Sequence, residues 1–343
     1  MKSSDTLFPD FIGNGEALRL LSADITAGRF PHALLLEGPA GCGKRTLARL
    51  LARAAVCESA DHRPCGRCNA CRKAADGVHP DITVISGGNG ERSFHIDAIR
   101  DLIGSAYVLP NEASYRVLIL CDAHNMTPQA QNALLKILEE PPRHLLFILT
   151  CENRAQMLPT IRSRTAVVSL GEVEWEEAAP FLKSRLPQED EQTVKDAFAV
   201  SGGIIGRVLA GFENDTLNKV LALTPQLVTA LVAPDEWQLM SLTAALDKNK
   251  EALTGVLNAL CLVFRDALIL HYGGTATLST APEAAALLSS RCSGARLRAL
   301  LEETEYLRAA ARHNMNGTLR PPASCSRRLT SACARVIFMI KKG

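Results

Sequence analysis

Net charge and long apolar runs are two things that this sequence has little of. Its formal net charge is only +2, so no global positive field favours nucleic acid, and any DNA contact must come from a local patch or from partners. No uninterrupted apolar run reaches the roughly 18 residues that a membrane span needs. Residues 1–10 are polar and acidic rather than basic and then apolar, unlike a signal peptide. These absences predict a cytoplasmic protein without a membrane partner.

The composition is that of a folded protein with more than one domain. Hydrophobic residues make up 47% and charged residues 22%, as in ordinary soluble proteins. A chain of 343 residues fits two or three domains. The eleven cysteines are not expected to form disulfides in a reducing cytosol. Four of them crowd between Cys57 and Cys71, and the others are scattered, mostly in apolar surroundings where thiols fill a core.

In the first half of the chain, short apolar runs alternate with helical patterns. Helices are predicted over 46–55, 96–102 and 127–140; the last opens with Thr-Pro and is ended by a Pro-Pro pair. Strands are predicted over 32–37, 81–86, 116–121, 145–150 and 166–170. This alternation predicts an α/β fold with a parallel sheet covered by helices on both faces.

After about residue 172 the strand-like runs end and only helical patterns follow. They cover 174–184, 189–199, 206–223 and 235–272, and a Gly/Thr/Ser/Pro-rich break at 273–282 precedes further helix. The predicted organisation is therefore an α/β domain over 1–168, a small helical domain over 169–213 and a larger helical domain over 214–343.

A glycine-rich loop lies between the first predicted strand and the helix after it. The loop reads GPAGCGKRT, with Gly38, Gly41 and Gly43 followed by Lys44. Glycines let successive backbone N–H groups turn inward around an anion, the helix adds its positive end, and the lysine adds a charge for the β- and γ-phosphates. Because strand, loop, lysine and helix are in register, the segment predicts a nucleotide-binding phosphate loop rather than a chance turn.

The residues that would hold magnesium are replaced. Phosphate loops place Ser or Thr directly after the lysine as a Mg²⁺ ligand, but here Arg45 stands there and Thr46 comes one residue late. One step along a helix turns a side chain by about 100 degrees, so Thr46 should point away from the metal. The strand 116–121 should end in a metal-binding aspartate and then a glutamate, yet it ends in Cys121-Asp122. Either Cys121 replaces the aspartate and Asp122 the glutamate, or the motif has slipped by one residue. Mg²⁺ binding and hydrolysis are not expected, and ATP or ADP binding stays open.

Four cysteines form a C-x7-C-x2-C-x2-C pattern. Thiolates at this spacing can converge on one tetrahedral Zn²⁺ with no open coordination position, which makes the ion structural. An iron–sulfur cluster or unliganded thiols are the alternatives, but nothing else in the sequence suggests electron transfer. The predicted ligands are Cys57, Cys65, Cys68 and Cys71.

Arg164 lies in the segment LPTIRSRT, just past the predicted strand 145–150. An arginine here can act as a finger that reaches a neighbouring subunit's nucleotide and stabilises transition-state charge. From the residue type alone, an ordinary surface arginine paired with a carboxylate is the better interpretation.

Taken together, these motifs resemble a known family. The chain resembles the delta-prime subunits of bacterial DNA polymerase III clamp loaders, relatives of gamma/tau within the AAA+ ATPases. The residues that carry the likeness are His32-Ala33, the four cysteines, His79-Pro80-Asp81, IDAIR at 96–100, AQNALLKILEEPP at 130–142 and 158–164. The likeness is firm over about 8–170 and thins to a helical pattern afterwards.

The resemblance implies roles that the residues alone do not give. Residues 1–168 would be the AAA+ core with a zinc module at 57–71, 169–213 the helical lid and 214–343 the helical collar for oligomerisation. Arg164 matches the arginine of the family's Ser-Arg-Cys motif, with Thr165 replacing the cysteine, and would act in trans. Arg207 looks like the second sensor arginine. Together with Gly38, Gly41, Gly43, Lys44, Arg45 and Thr46 it would contact nucleotide. Gamma/tau and delta subunits would be partners, with the sliding clamp and primed DNA reached through the complex.

Three other functions compete with this interpretation. An active gamma/tau-type ATPase would need the missing Mg²⁺ ligands, and so would a repair or recombination AAA+ motor, which also leaves the four cysteines unexplained. A zinc-dependent nucleic-acid module is weaker still, because the cysteine loop has no aromatic or strongly basic recognition surface.

Overall fold

The computed structural model describes residues 7–59, 62–86, 94, 96–232, 237–238, 241–242, 246, 250–275 and 278–312. The chain divides into two compact units, Met1–Glu177 and Ala178–Gly343, and each is described on its own. The predicted boundaries at 168 and 213 concern a finer division and stay predictions.

A five-stranded parallel sheet forms the centre of the first unit. Its spatial order is β2-β3-β4-β1-β5, and every neighbouring pair is parallel. The central strand β4 is buried at all seven positions, whereas the edge strands β2 and β5 are partly exposed. The strands are β1 (Ala33–Glu37), β2 (Ile82–Ser86), β3 (Arg116–Cys121), β4 (Leu145–Cys151) and β5 (Ala166–Ser169). All five strand predictions are confirmed, with ends shifted by one residue at most.

Helices cover both faces of the sheet. On one face, α4, α5 and α6 contribute apolar side chains to a core that includes Leu118, Leu120 and Phe147 of the strands. On the other, α2 contacts β1, β3 and β4, and the alternate strand residues such as Leu36 and Ile119 are buried too. The helices of this unit are α1 (Gly15–Thr26), α2 (Lys44–Val56), α3 (Asn69–Ala75), α4 (Ile96–Ala106), α5 (Pro128–Ala133), α6 (Leu135–Glu139) and α7 (Pro159–Arg162).

The single helix predicted over 127–140 is wrong in one respect. Thr127 caps the helix as expected, since its hydroxyl accepts the N–H of Ala130 at 3.2 Å. The helix is interrupted at Leu134, however, whose N–H bonds to the carbonyl of Gln131 three residues back. The chain therefore forms two short helices, α5 and α6, with Leu134 buried between them.

The second unit is helical over its described residues. The prediction of a single helix over 206–223 is wrong, because Asn214 and Asp215 interrupt it. Asp215 adopts a left-handed φ of 56°. Gly211 allows the close approach of the two resulting helices, since a Cβ there would lie 2.5 Å from Leu217. Its described helices are α8 (Trp175–Arg185), which begins three residues before the boundary of the unit, α9 (Glu191–Val200), α10 (Ile205–Glu213), α11 (Thr216–Val232), α12 (Lys250–His271), α13 (Pro282–Arg291) and α14 (Gly294–Arg312).

Parts of the predicted C-terminal region lie outside the described residues. Most of 235–249 and all of 313–343 belong to that part, so the long helix predicted over 235–272 is confirmed only for α12. The break predicted at 273–282 is present where it is described, and Pro282 begins α13.

Helix α12 is long and apolar enough to cross a membrane by length and composition, with a mean hydropathy of 1.8 over its apolar window. Half of that window is buried against the rest of the chain. The window also contains Asp266, which is fully buried and accepts the N–H groups of Leu278 and Ser279. A buried carboxylate that anchors a loop is a feature of a helix in a protein core.

Candidate functional site

The candidate nucleotide site lies at the carboxyl edge of the sheet. Strands β3, β4 and β1 are neighbours and run parallel, so the segments that follow them meet at one edge, where open α/β sheets bind ligands. These segments are the phosphate loop after β1, Asp122 after β3 and the turn after β4.

The predicted phosphate loop has the backbone that its glycines suggest. Gly41 and Gly43 have positive φ angles of 86° and 93°, which glycine adopts without strain. A Cβ on Gly38 would lie 2.3 Å from the carbonyl oxygen of Leu170, so no other residue fits there without movement. Lys44 is the first residue of α2, and its ammonium donates to the carbonyls of Gly38 and Pro39 at 2.6 and 2.9 Å. The predicted loop residues thus come together around the start of α2.

An ion pair stands where the magnesium ligands would be. The guanidinium of Arg45 lies 2.5 Å from the carboxylate of Asp122, which is 77 residues away in sequence. This hydrogen bond, opposed by partial burial, raises the pKa of Arg45, so the guanidinium stays charged. Thr46, the other predicted contact of the site, is exposed on α2.

The end of β3 explains which side chain reaches Arg45. Cys121 is the last strand residue and is buried, and that burial raises the pKa of its thiol. Asp122 follows in a left-handed conformation with a φ of 57°, and its N–H donates to the Thr150 hydroxyl at 2.8 Å. The site therefore offers a neutral thiol and an arginine-paired carboxylate, a donor set that does not fit Mg²⁺.

The four predicted metal ligands converge. The Sγ atoms of Cys57, Cys65, Cys68 and Cys71 all lie within 4.8 Å of one another, and those of Cys65 and Cys71 are 4.0 Å apart. A tetrahedral ion with Zn–S bonds of about 2.3 Å separates its sulfurs by about 3.8 Å. The cluster could therefore hold a metal ion such as zinc.

Backbone N–H groups point at these sulfurs, as expected around metal-bound thiolates. Cys57 accepts the N–H of Cys65, Cys65 that of Cys68, and Cys68 that of Cys71, at 3.3 to 3.4 Å. The backbone donors of Arg67 and Cys68 lower the pKa of Cys65 to about 6, whereas burial raises that of Cys71 to about 12. Cys57 caps the end of α2 and Cys68 caps the start of α3, so the candidate metal site joins two helices.

Arg164 follows the short helix α7 and is held by three contacts. Its Nη1 donates to the carbonyl of Thr160 and lies 3.2 Å from the hydroxyl of Ser163. Its Nη2 lies 2.7 Å from a carboxylate oxygen of Glu139, the last residue of α6. The side chains of both charged partners are partly exposed, at 34% and 48%. Arg164 was predicted from the sequence but its partner Glu139 was not, although both lie in the motifs that carry the resemblance.

A buried amide connects the segment after β3 with the helix that precedes Arg164. Gln131 is 3% exposed; its side-chain N–H donates to the carbonyl of Met126, and its oxygen accepts the N–H of Leu158 at 2.9 Å. Leu158 is the residue directly before α7. Gln131 lies in a motif that carries the resemblance, but no pattern in the sequence indicates this bridging role.

The His79-Pro80-Asp81 motif is a loop clamp. Asp81 is fully buried and accepts the N–H groups of Asn111, Glu112 and Ala113 at 2.6 to 2.9 Å. Burial would raise the pKa of Asp81, but the three donors outweigh it and the pKa is lowered. The carboxylate of Glu112 also pairs with Lys73 of α3, which ties this loop to the four-cysteine module.

Arg207 lies in α10 of the second unit and is partly buried. Its predicted contact with nucleotide stays a prediction.

The chain matches the protein-family model described as DNA polymerase III, delta subunit, over residues 13–174. It is 31% identical to the DNA polymerase III subunit delta' of Escherichia coli over 290 residues, which covers 84% of this chain and 85% of that protein. It is 40% identical to the gamma/tau subunit of Mycobacterium tuberculosis over 159 residues, 46% of this chain but only 27% of that protein's length.

Among solved structures, the RuvB Holliday junction branch migration motor of Thermotoga maritima is similar at a TM-score of 0.42 and 16% identity, with 84% of this chain and 85% of that one covered. The match to the E. coli protein, in contrast, extends over most of both chains at 31% identity. On that basis the chain belongs to the AAA+ family of DNA polymerase III clamp-loader subunits that includes delta' and gamma/tau.

Proposed function

We propose that the chain is a delta-prime-type clamp-loader subunit that does not itself hydrolyse ATP and donates Arg164 to the ATP site of a neighbouring subunit. In this proposal, gamma/tau and delta subunits are its partners in the cytoplasm. The complex loads the sliding clamp onto primed DNA with ATP that neighbouring subunits hydrolyse.

The ion pair between Arg45 and Asp122 is the single observation that carries the non-hydrolysing role. Hydrolysis needs Mg²⁺ against the β- and γ-phosphates and a carboxylate that orients water. The arginine brings positive charge to the metal's position, and it also pairs with the carboxylate that would have to act as base. One contact therefore opposes both requirements.

The surroundings of Arg164 support a role in trans. The guanidinium has five N–H donors, and its described contacts are to Thr160, Ser163 and Glu139. Thr160 lies within α7 and Ser163 directly follows it, and the contacts to these two residues fix the direction of the side chain. The partner Glu139 is partly exposed, so a more highly charged phosphate can displace it.

The remaining assignments complete the proposal. Zn²⁺ held by the four cysteines is structural, because four thiolates leave no open position for catalysis. Residues 1–168 form the AAA+ core, 169–213 the lid with Arg207 as second sensor, and 214–343 the collar that joins the subunits.

The test is the DNA-stimulated ATPase of a complex reconstituted with gamma/tau and delta subunits. Arg164→Ala should fold normally and assemble, yet cut turnover several-fold, because the transition state at the neighbouring site loses a cation. Arg29→Ala is a matched control, since Arg29 also forms an exposed ion pair, with Asp24. Unchanged turnover of the Arg164 variant would refute the trans role.

An active gamma/tau-type ATPase is the alternative, and the 40% identity to the M. tuberculosis subunit favours keeping it. It predicts that the highly purified chain hydrolyses ATP on its own and that Lys44→Ala abolishes this activity. Our proposal predicts no turnover above that of the Lys44 variant.

A further inference from the structure

We propose that Arg45 takes the place of Mg²⁺ as the counterion of a bound nucleotide, so that this phosphate loop binds nucleoside di- or triphosphates in their metal-free form. The inference rests on the part of the proposed function that denies Mg²⁺ to this site. It adds that the site, although it lacks the residues that hold Mg²⁺, still binds a nucleotide. That nucleotide is metal-free, whereas an ATPase binds the magnesium complex.

The features that hold phosphate are all present in the chain. Gly41 and Gly43 turn the loop through positive φ, Gly38 permits close packing of the backbone, and α2 begins at Lys44. Successive N–H groups, the helix N-terminus and an ammonium group form an anion site that needs no metal. The only change within the loop motif is Arg45.

Arg45 is placed to reach the same phosphates. It follows Lys44 in the first turn of α2, and its guanidinium extends to Asp122 at the end of β3, across the position between the two strand ends. The contact with Asp122 uses Nη2, and a guanidinium has further N–H groups that can bond phosphate oxygens bidentately. Asp122 thus orients the guanidinium.

Charge decides between the metal-free nucleotide and its magnesium complex. Lys44, Arg45 and the positive end of α2 lie at this edge with the carboxylate of Asp122, and Glu37, the carboxylate that ends β1, is paired with Arg154. Metal-free ATP carries two more negative charges than its Mg²⁺ complex and suits this surplus of positive charge. A bound Mg²⁺ would lie beside a guanidinium, and like charges at that distance repel.

Lys44 has to change partners when phosphate binds. Its ammonium is buried and donates to the neutral carbonyls of Gly38 and Pro39. A hydrogen bond to an ionised phosphate is stronger than one to a carbonyl, so the exchange favours the bound state.

The test measures ATP and ADP affinity of the purified, zinc-loaded chain by isothermal titration calorimetry. One buffer is freed of divalent ions over a chelating resin, because a soluble chelator would strip the cysteine site, and the other contains excess Mg²⁺. We expect binding that is about tenfold tighter without Mg²⁺, the size of one charge-assisted hydrogen bond. Tighter or equal binding with Mg²⁺, or no binding in either buffer, would overturn the inference.

Three variants separate the role of Arg45 from general electrostatics. Arg45→Ala should weaken metal-free binding about tenfold, again the worth of one such bond. Arg45→Thr returns a hydroxyl and should abolish the inhibition by Mg²⁺. Arg49→Ala removes an exposed arginine one turn later on α2 and should change neither affinity. A nucleotide-induced rise in unfolding temperature that follows the same pattern confirms that folded protein is being measured.

The outcome is independent of the clamp-loader test. If nucleotide fails to bind but Arg164→Ala still slows the assembled complex, this inference is wrong and the proposed function stands. If metal-free binding is found and Arg164→Ala has no effect, this inference stands and the trans role of Arg164 is wrong.

Discussion

The ion pair between Arg164 and Glu139 leads to a prediction about the free and the assembled subunit. In the isolated chain the carboxylate of Glu139 holds one side of the guanidinium at 2.7 Å. A neighbour's γ-phosphate would have to replace this carboxylate, since both compete for the same N–H groups. Glu139→Gln keeps the shape of the side chain and removes the competing charge.

The size of the effect follows from the exposure of the pair. Both side chains are partly exposed, at 34% and 48%, and such pairs are worth about 0–1 kcal/mol. Releasing Arg164 can therefore raise the rate at the neighbouring site by about fivefold at most. Removing Arg164 itself removes a contact that raises the hydrolysis rate by about 10³ to 10⁵ where an arginine finger operates. At that one site the two variants should thus differ in sign and by orders of magnitude. The turnover of the whole complex, to which the other ATP sites still contribute, should fall several-fold for Arg164→Ala.

The assay is the steady-state DNA-stimulated ATPase of the reconstituted complex, with assembly checked by mass. Glu139→Gln should give unchanged or raised turnover, and Glu140→Gln, which removes the same charge one residue further along, should match the wild type. If Glu139→Gln slows the complex as much as Arg164→Ala does, the carboxylate positions the finger instead of competing for it, and our reasoning is refuted.

Two further predictions concern the loop held by Asp81 and the four-cysteine module. Asp81→Ala should lower the free energy of unfolding by about 3 kcal/mol, since charged hydrogen bonds contribute about 1.5–3 kcal/mol each and the loop N–H groups regain water. Because the folded pKa of Asp81 is depressed, its contribution to the free energy of unfolding is complete above the unfolded value of 3.8 and should vanish as pH falls through the folded pKa. Urea unfolding between pH 2 and 6 checks both points. A pH-independent difference between variant and wild type would contradict them. Strong chelators should release one zinc per chain, detected colorimetrically, and raise hydrogen exchange within 57–71. Cys71→Ser should raise the exchange in the same way, and Cys292→Ser should not. A metal-free chain with the same exchange rates as the untreated protein would argue against a zinc site.

Much of the fold could be predicted because the strands are short apolar runs bounded by glycine, proline or charge. What the patterns missed are interruptions of helices. Leu134 is apolar and fits a continuous helix, so only its tertiary surroundings explain the turn there. Asn214-Asp215 is a turn signal that local sequence does contain, but the apolar periodicity on both sides obscured it. The order of the strands depends on crossovers and has no local signal.

At the candidate site, what is contiguous in sequence was predictable and what is paired across the fold was not. The loop from Gly38 to Thr46 and the four cysteines each lie within one segment, so spacing alone indicated their chemistry. Arg45 and Asp122 are 77 residues apart. Both were suspected as substitutions, but their contact requires knowing that β1 and β3 flank β4. Glu139 and Gln131 could be recognised only as members of the motif at 130–142, and the contacts that they make could not be predicted.

The pattern of what the site keeps and what it replaces is itself an argument about function. Here the groups that cradle phosphate are in place, and the two groups that would hold Mg²⁺ are replaced by a thiol and by an arginine that reaches the one remaining carboxylate. Under our proposals the consequence is selective, because this pocket would bind the phosphates of a nucleotide but would not hydrolyse a metal-bound nucleotide. A subunit with such a pocket can hold a nucleotide as part of its structure without turning it over. Its influence on catalysis would then pass through Arg164, on the next subunit's nucleotide.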